Sequence, residues 1–361
     1  MKREWACDII IPIWNQPERT RRCLESILHS TQEAVRLVLV DNASEAPTRG
    51  FLEQFEKSSP VPVEIIRNSE NRGFIKAVNQ GIRAAQSEWV CVLNNDTLAA
   101  PGWLTEMLQV AQSDPAIGLV NPTSNSLGFQ PKEGLLGGYA QSLKSFSGRA
   151  TELSTALGFC LLGRRSLFEK VGFLDESYGM GYFDDDDLSR KVKALGFRCV
   201  RACAAYVYHE ERASFRLLPK RNEAFLQNRR LFEQRWGRRL RILWGLGGCS
   251  SSGPFSAETA LFLVGEGHWL TFVDCQGALP SELLSHAQVS RLLSAPNRWR
   301  LKASLRLFLK RKKPFDLVIS QDQNWSRWLN RFRRLYPAHL MDNPTPQEIV
   351  EKCKSLSRIP S

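Results

Sequence analysis

The first half of the chain alternates short apolar runs with segments of helical period. The apolar runs predict strands at Asp8–Ile13, Leu37–Val40, Val63–Arg67 and Trp89–Leu93. The intervening segments predict helices at Glu18–Ser30, Gly50–Lys57 and Ile75–Ala85. An alternating order of strands and helices is typical of a largely parallel sheet covered on both faces. We therefore predict an α/β fold built on a mostly parallel sheet.

Polar residues follow each of these predicted strands. In chain order they are Asn15, then Asp41 and Asn42, then Asn71 to Gly73, then Asn94, Asn95 and Asp96. In open parallel sheets, ligands bind beyond the carboxyl ends of the strands. The sequence therefore predicts one polar crevice at this edge of the sheet.

The character of the chain changes near residue 237. A basic stretch, Arg235 to Arg239, leads into a predicted strand at Arg241–Trp244 and a loop rich in glycine and serine at 245–253. Beyond it we predict a helix and further strands, at Ala257–Gly267, Trp269–Val273, Phe315–Ser320 and Pro337–Met341. We predict two domains, residues 1–236 and a smaller Rossmann-like α/β domain at residues 237–361.

Composition places the 361 residues among ordinary globular proteins, with 43% hydrophobic and 24% charged residues. The net charge of +12 is concentrated late in the chain, notably in Arg235–Arg241, Lys310–Lys313 and Arg331–Arg334. Such runs either form a solvated face or contact an anionic membrane. No recognised nucleic-acid module surrounds them, so we expect no nucleic-acid partner.

The cysteines and the N-terminus favour a cytoplasmic protein. The nine cysteines are scattered and form no C-x-x-C pair, so we expect free thiols. No apolar run is long enough to span a membrane, and no signal-peptide core follows Met1. We expect a cytoplasmic location, with peripheral contact at the inner face of the membrane as the second possibility for the basic runs.

Four consecutive aspartates, Asp184 to Asp187, are the most distinctive local pattern. Their mutual repulsion costs stability unless a cation, a helix N-terminus or a substrate compensates for it. The alternative is that part of the run caps a predicted helix at Leu188–Leu195. We assign at least one of these carboxylates a functional role.

Two other segments suggest a divalent metal site. Asp96, with Asn94 and Asn95, ends an apolar strand, where a carboxylate can hold Mg²⁺ or Mn²⁺ against the phosphates of a nucleotide. His209 follows another predicted strand, Ala204–Tyr208, and neutral imidazole is a common metal ligand. The alternatives are a helix-capping role for Asp96 and a structural role for His209. Asp41 can likewise be a ligand for a nucleotide or an ordinary turn residue.

Together these segments resemble the family 2 glycosyltransferases with the GT-A fold, in particular their rhamnosyltransferase-like branch. The resemblance covers about residues 6–235. The matching segments are Asp8–Asn15, Val40–Ser44, Asn71–Phe74 with Asn79–Gly81, Leu93–Thr97, Gly158–Leu162, Asp184–Leu188 and Tyr206–His209.

The resemblance implies an inverting transfer of a sugar from a UDP, dTDP or GDP donor to a glycan or lipid-linked glycan, in cell-surface polysaccharide or lipopolysaccharide synthesis. It implies that Asp185 is the catalytic base, with Asp184 as the alternative. It implies that Asp96 and His209 hold Mg²⁺ or Mn²⁺. The implied nucleotide-sugar contacts are Pro12, Asn15, Asp41, Asn42, Asn71, Gly73, Asn79, Asn94, Asn95 and Asp187.

Residues 239–361 resemble the N-terminal half of a GT-B glycosyltransferase. The half that mainly binds the nucleotide in such enzymes has no counterpart in the sequence, so the resemblance implies a scaffold, an acceptor-handling domain or a truncated fusion.

Three other functions compete with the transferase. A non-catalytic module that keeps the fold would lack the acidic residues that are present here. A sugar-phosphate nucleotidyltransferase would carry a glycine-rich loop after its first strand, in place of Trp14–Pro17. A nicotinamide dehydrogenase would carry G-x-G-x-x-G there.

Overall fold

The computed structural model describes residues 5–127, 131, 135–210, 221–246, 255–275, 277, 279–284, 286, 288–309 and 313–358. The chain divides into two compact units, residues 1–231 and residues 232–361. Most of the predicted glycine- and serine-rich loop, together with Cys249 and residues 310–312 of a predicted basic run, lies outside the described residues.

The first unit is built on a sheet that has nine strands within the described residues. The strands are β1 (Cys7–Ile13), β2 (Val35–Asp41), β3 (Val63–Arg67), β4 (Trp89–Leu93), β5 (Thr97–Ala99), β6 (Ile117–Thr123), β7 (Ala150–Glu152), β8 (Cys160–Arg164) and β9 (Arg198–His209). The order is β3-β2-β1-β4-β8-β6-β9-β5, and β7 pairs with β9. Strands β3, β2, β1 and β4 are parallel, while β8 runs antiparallel to both of its neighbours. The predicted mostly parallel α/β sheet is confirmed.

Helices connect these strands. They are α1 (Pro17–Ser30), α2 (Ala46–Ser58), α3 (Phe74–Ala84), α4 (Trp103–Ser113), α5 (Leu136–Leu143), α6 (Arg165–Val171), α7 (Asp184–Ala194) and α8 (Arg221–Trp236). The three helices predicted between the first four strands are confirmed. The predicted start of α7 at Leu188 is wrong, because the helix begins at Asp184 and takes the whole acidic run into its first turn.

Close packing fixes α3 against the sheet. An alanine Cβ at Gly81 would lie 2.2 Å from Cγ2 of Ile10 on β1 and 3.3 Å from Cγ2 of Val40 on β2. Only a residue without a side chain lets the helix approach this closely. The loop that precedes α3 is therefore held near the carboxyl ends of β1 and β2.

A buried ion pair lies between β1 and β2. Asp8 and Arg36 are directly opposite in the parallel register. Nε and Nη2 of Arg36 donate to the two carboxylate oxygens of Asp8 at 2.9 Å each. The backbone N–H groups of Gln86 and Ser87 also donate to Asp8, and Nη1 of Arg36 donates to Glu64 at 2.7 Å. The pair thus joins β1, β2, β3 and the turn before β4.

The second unit is a smaller parallel sheet with helices on both faces. Its elements are β10 (Arg241–Gly245), α9 (Ala257–Gly265), β11 (Trp269–Asp274), α10 (Ser281–Leu284), β12 (Val289–Leu293), α11 (Trp299–Leu309), β13 (Leu317–Ser320), α12 (Gln323–Arg331), β14 (His339–Asp342) and α13 (Pro346–Ser357). The strand order is β12-β11-β10-β13-β14, and every pairing is parallel. The predicted second α/β domain is confirmed as a fold.

Alternate residues of these strands face two separate cores. Ile242, Leu270 and Phe272 pack with α9 and α13 on one face of the sheet. Leu243 and Val318 pack with α11 and α12 on the other. The outer sides of α11 and α12 are therefore directed away from the sheet.

The described residues bear on the predictions about the cysteines and about membrane-spanning segments. The eight cysteines among them are free. None of the helices in the described ranges is long and apolar enough to cross a membrane.

Candidate functional site

The carboxyl ends of β1 and β2 are joined by a hydrogen-bonded network. The backbone N–H of Asn15 donates to Oγ of Ser44 at 2.9 Å, and Oδ1 of Asn15 accepts from the backbone of Glu45 at 2.8 Å. Asn15 has a positive φ of 56°, which a short polar residue tolerates better than most. Pro12, also predicted to contact the donor, lies within β1 opposite Val40.

Asp41 ends β2 as a buried carboxylate. Its Oδ1 accepts from the backbone N–H of Ser44 at 2.9 Å, and its Oδ2 accepts from Nη1 of Arg67 at 2.9 Å. Each carboxylate oxygen has two lone pairs, so these contacts leave acceptor capacity for a ligand. Arg67 is an anchor for Asp41 that the sequence did not indicate.

Asn42 organises the loop that enters α3. Its Nδ2 donates to Oδ1 of Asn71 at 2.7 Å and to the backbone oxygen of Gly73 at 3.3 Å. Its Oδ1 accepts from the backbone of Arg72 at 2.9 Å and from Nδ2 of Asn68 at 3.1 Å. The predicted residues Asn42, Asn71 and Gly73 thus lie together, with their contacts directed mainly at one another.

Two contacts join α3 to the chain that leads to the acidic run. Gly73 has a φ of 85°, and a Cβ there would lie 3.0 Å from Sδ of Met180. The buried side chain of Asn79 donates to the backbone oxygen of Leu174 at 2.9 Å and to Glu176 at 3.1 Å, and accepts from Leu174 at 3.1 Å. Asn79 therefore positions this segment, and the sugar contact assigned to it stays a prediction.

The structure brings Asp96 and His209 together. The short strand β5 pairs antiparallel with the end of β9, and Thr97 is opposite His209. This register leaves Oδ1 of Asp96 at 3.2 Å from Nε2 of His209. The capping alternative for Asp96 is wrong, because the residue precedes a strand and Gly102 is the N-cap of the next helix.

The imidazole of His209 is held on several sides. Its Nδ1 lies 3.0 Å from Oγ of Ser126, and its ring stacks on Phe159 with centroids 5.0 Å apart. Its backbone exchanges two hydrogen bonds with the side chain of Asn125, at 2.7 and 2.8 Å. A partner on Nδ1 fixes the ring so that Nε2 faces Asp96, an arrangement typical of metal-binding histidines.

Asn94 supplies a further oxygen donor at this point. Its Nδ2 lies 3.5 Å from Nε2 of His209, and its buried Oδ1 has no hydrogen-bond partner among the residues that the structure describes. A buried carbonyl oxygen without a partner is costly unless a ligand satisfies it. A carboxylate oxygen, an imidazole nitrogen and an amide oxygen fit a divalent cation such as Mn²⁺ or Mg²⁺.

In the described part of the chain, this site holds one carboxylate, Asp96, and one imidazole, His209. Within the described ranges, no group of three or more histidines, cysteines and acidic residues could hold a metal ion. The neighbouring Asn95 turns away, and its Nδ2 donates to Thr20 at 3.0 Å. A cation held here would need oxygen ligands from elsewhere, as Mg²⁺ commonly takes from phosphates.

The acidic run follows an unusual backbone. Gly181, Tyr182 and Phe183 all have positive φ, at 130°, 71° and 67°, and such conformations cost free energy for residues with side chains. Asn228 on α8 supports this turn, because its Nδ2 donates to the backbone oxygens of Tyr178 at 2.7 Å and Gly181 at 2.6 Å. This turn, held by Asn228, sets the residue at which α7 begins and therefore the position of its aspartates.

The four aspartates have different surroundings. Asp187 is fully buried, with Oδ2 at 2.8 Å from Nζ of Lys191, so it contributes to the interior of the unit. Oδ1 of Asp186 accepts from Oγ1 of Thr155 at 2.6 Å. Oδ1 of Asp185 accepts from the backbone of Asp186 at 2.8 Å, and its Oδ2 accepts, among the described residues, only a long bond of 3.4 Å from the backbone of Gly158.

Burial and mutual repulsion change the acidity of two members of the run. Burial, together with the charges of Asp186 and Asp187, raises the pKa of Asp184 to about 6. Burial, together with the charges of Asp186 and Asp184, raises the pKa of Asp185 well above its usual range. A carboxylate with a raised pKa is a stronger base, as proton abstraction near neutral pH requires.

A single cleft of about 410 Å³ connects the acidic run with the candidate metal site. Asp184, Asp185 and Asp186 line it together with Asn94 and His209. Aromatic side chains form much of its remaining wall, namely Phe74, Phe159, Tyr182, Phe183 and Phe225. Asp96 is adjacent through its contact with His209. Asp187 and Asn79 do not line this cleft.

Sequence reasoning missed several residues that hold the site in place. Besides Ser126 and Asn228, these include Glu210, which accepts from Arg19 at 3.1 Å and from Arg22 at 2.6 Å. Glu210 directly follows His209, and its backbone N–H donates to the backbone oxygen of Asp96 at 2.9 Å. Its position next to His209 was the only signal of this role in the sequence.

A family model and several known proteins are similar to part of this chain. Residues 8–172 match the family model described as glycosyl transferase family 2, which confirms the resemblance stated for this part of the chain. An uncharacterized protein of Sinorhizobium fredii is 31% identical over 252 residues, which cover 63% of this chain and 27% of that protein. This chain thus spans about a quarter of that relative's length.

Two further proteins are similar to this chain. The N-acetylglucosaminyl-diphospho-decaprenol L-rhamnosyltransferase of Mycobacterium tuberculosis is 28% identical over 225 residues, covering 53% of this chain and 71% of that protein. The solved structure of a Pyrobaculum calidifontis mannosyltransferase in complex with GDP-Man and Mn²⁺ aligns with a TM-score of 0.47 and 16% identity, over 64% of this chain and 71% of that one.

Proposed function

We propose, from the glycosyl transferase family 2 domain at residues 8–172, that the first unit is an inverting glycosyltransferase. It transfers a sugar from a nucleotide-diphosphate donor to an acceptor hydroxyl. The observation that carries this proposal is the cleft in which Asp185, a carboxylate with a raised pKa, lies with Asn94 and His209. A base and a candidate cation site in one cleft are what sugar transfer from a diphosphate requires.

The residues proposed to hold a divalent cation are Asp96 and His209, with the amide oxygen of Asn94 as a third donor. When bound, the cation neutralises negative charge on the departing nucleotide diphosphate. Ser126 and Phe159 keep the imidazole of His209 in place for this role. Mg²⁺ and Mn²⁺ both suit this set of donors.

In the proposed reaction, Asp185 accepts the proton of the acceptor hydroxyl. The acceptor oxygen forms a bond to the anomeric carbon from the face opposite the diphosphate, and the bond from that carbon to the diphosphate oxygen breaks. Configuration at the anomeric carbon is inverted in this single displacement. No side chain forms a covalent bond with the sugar. Asp184, whose pKa is raised to about 6, is the alternative base.

The donor nucleotide lies, in this proposal, against the carboxyl ends of β1 and β2. Asp41 and Asn15 lie there, while Asn42 and Asn71 shape the adjoining loop through their mutual hydrogen bond of 2.7 Å. This edge of a parallel sheet is where nucleotides bind in related architectures. UDP, dTDP and GDP are the donors to test.

The acceptor proposed is a glycan, free or linked to a lipid, in the synthesis of cell-surface polysaccharide. Support comes from the rhamnosyltransferase of M. tuberculosis, whose name specifies a lipid-linked acceptor and whose similarity covers 53% of this chain. The aromatic wall of the cleft is suited to the apolar faces of sugar rings.

Nucleotide binding tests the donor and cation sites directly. We expect one of UDP, dTDP and GDP to bind the wild-type chain more tightly with Mn²⁺ than without it. In Asp96→Ala we expect this dependence on Mn²⁺ to disappear, because a carboxylate ligand is lost and only His209 and Asn94 remain. Isothermal titration calorimetry of each nucleotide, with and without Mn²⁺, measures both effects.

A matched carboxylate variant controls for general electrostatics. Glu56→Ala removes an exposed carboxylate from α2 and should leave binding unchanged. If a folded wild-type sample binds none of the nucleotides with Mn²⁺ present, the chain is better described as a non-catalytic module that keeps the fold.

The pH dependence of turnover tests the base. Because the base must be ionised, kcat/KM should fall as pH decreases through its pKa. Asp184→Asn removes one of the negative charges that raise the pKa of Asp185, so the acidic limb should move to lower pH. Profiles of kcat/KM against pH for both proteins measure the shift. Loss of activity at every pH would instead identify Asp184 as the base.

A further inference from the structure

Helix α11 in the second unit presents leucines on the side opposite the core. Its buried residues Trp299, Ala303 and Leu307 recur every four positions and pack on the sheet. Leu301, Leu305 and Leu309 also recur every four positions, displaced by two residues, which places them on the opposite side of a helix with 3.6 residues per turn. Their exposed fractions are 62%, 47% and 72%.

The neighbouring α12 and the residue that follows it, Phe332, extend this apolar area. Trp328 and Phe332 are each 39% exposed and contact one another, with ring centroids 4.7 Å apart. Phe308 on α11 lies 5.9 Å from Trp328 and so links the two helices. We call Leu301, Leu305, Leu309, Trp328 and Phe332 the outer apolar surface of the second unit.

Basic residues surround the outer apolar surface. Lys302 and Arg306 are exposed on α11, and Arg331 and Arg334 are exposed at the end of α12 and in the turn after it. Between Arg298 and Arg334 the sequence contains only two acidic residues, Asp316 and Asp322.

Both of these aspartates are already engaged in ion pairs. Oδ1 of Asp316 lies 2.6 Å from Nη1 of Arg238, and Oδ2 of Asp322 lies 2.7 Å from Nη2 of Arg300. Asp322 also accepts from the backbone of Trp325 at the start of α12. The surroundings of the apolar residues are therefore strongly positive.

We propose that the outer apolar surface docks on an anionic lipid bilayer. Leucine, tryptophan and phenylalanine on an exposed helical side, flanked by lysine and arginine, are the composition of surfaces that lie in the membrane interface. The positive flanks favour this partner over a second copy of the chain, because a symmetric contact would place like charges against each other. The leucines enter the acyl boundary, and the basic side chains contact the phosphates of the headgroups.

Vesicle sedimentation with the full chain tests this docking. We expect binding to vesicles of phosphatidylcholine mixed with phosphatidylglycerol, and much weaker binding to phosphatidylcholine alone. The triple variant Leu301→Ser/Leu305→Ser/Leu309→Ser should weaken binding at least about tenfold, because it removes the apolar side chains that would be buried. Arg306→Gln/Arg331→Gln/Arg334→Gln should also weaken binding at least about tenfold, since each basic residue near an anionic surface contributes attraction.

Two control variants separate docking from general effects. Phe262→Ser removes an exposed aromatic side chain from α9, which packs on the other face of the same sheet. Arg49→Gln/Lys57→Gln/Lys170→Gln removes three exposed positive charges from the first unit. Both controls should bind vesicles like the wild type.

Other outcomes overturn the proposal. The proposal is wrong if the wild type does not bind the anionic vesicles, or if the leucine variant binds them like the wild type. It is also wrong if the charge variant of the second unit and the charge control of the first unit lose vesicle binding equally. Self-association that is lost in the leucine variant, without vesicle binding, would assign the surface to a second copy. Because sedimentation needs neither donor nor acceptor, these results are independent of the transferase activity proposed for the first unit.

Discussion

Replacement of Asp185 by asparagine is expected to lower kcat by about two to four orders of magnitude, the usual contribution of a general base. Asparagine keeps the size of the side chain but cannot accept the proton of the acceptor hydroxyl. Affinity for the donor nucleotide should change little, because the proposed donor contacts Asp41 and Asp96 are retained in this variant. Release of nucleotide diphosphate in the presence of acceptor measures kcat, and calorimetry measures donor affinity.

The same substitution should make the protein more resistant to unfolding at neutral pH. The folded-state pKa of Asp185 is raised by burial and by the charges of Asp186 and Asp184. A carboxylate with a raised folded-state pKa contributes stability at pH values below its unfolded pKa, and that stability is lost as pH rises through the folded value. At neutral pH, which is above the unfolded pKa, the wild-type carboxylate therefore opposes folding, and a neutral asparagine removes that opposition. An increase in the midpoint of urea unfolding would show this.

Asp186→Asn is the matched control for kcat, measured on the plateau of the pH profile because the charge of Asp186 also raises the pKa of Asp185. Asp186 is the next residue on the same helix turn, but its Oδ1 is engaged with Thr155 at 2.6 Å. We expect this variant to keep kcat within a few-fold of the wild type. Retention of turnover by Asp185→Asn, with loss in Asp184→Asn, would assign the base to Asp184 and leave the rest of the site as described.

The sequence predicted the elements around the donor crevice well because their pattern is simple. Strands β1, β2 and β4 are buried on both faces, so they appear in the sequence as continuous apolar runs with polar residues directly after them. The strand order in the outer part of the sheet could not be predicted in this way. Strand β8 lies antiparallel between β4 and β6, and nothing local in the sequence specifies that insertion.

The contacts that hold the site in place were largely beyond sequence reasoning. Asn228 supports the turn before Asp184 from a helix 47 residues away from Gly181, and the pairing of Asp96 with His209 depends on the register of β5 on β9. Both are consequences of long-range packing. The start of α7 was placed too late because four like charges are unfavourable in a helix, whereas the N-terminal end of the helix dipole favours them in the first turn.

Replacement of Asp8 by alanine is expected to produce the largest loss of stability among single substitutions in the first unit. Removing one partner of a buried ion pair typically costs about 3–5 kcal/mol, a large share of the roughly 5–15 kcal/mol by which domains are stable. Of the described residues, Glu64 alone would remain as a charged partner of the buried Arg36, and the N–H groups of Gln86 and Ser87 would lose their acceptor. Urea unfolding, followed by circular dichroism, measures the change.

Acid should reproduce part of this loss in the wild type. Burial acts to raise the pKa of Asp8, but hydrogen bonds from Arg36, Ser87 and Gln86 outweigh it and leave that pKa below its usual range. A carboxylate with a lowered folded-state pKa contributes stability above its unfolded pKa and loses it as pH falls through the folded value. The stability difference between wild type and Asp8→Ala should therefore be constant near neutral pH and shrink under acid conditions below the usual pKa range of aspartate.

An exposed ion pair in the same unit separates the effect of burial from that of charge. Asp114 pairs with Arg198 at 2.7 Å, but their side chains are 39% and 44% exposed. Asp114→Ala removes the same chemical group from a comparable contact, and exposed pairs typically contribute about 0–1 kcal/mol. If Asp8→Ala and Asp114→Ala lower the free energy of unfolding equally, the buried pair contributes no more to stability than a surface contact. The connection between β1, β2 and the turn at Gln86 would then depend on backbone hydrogen bonds alone.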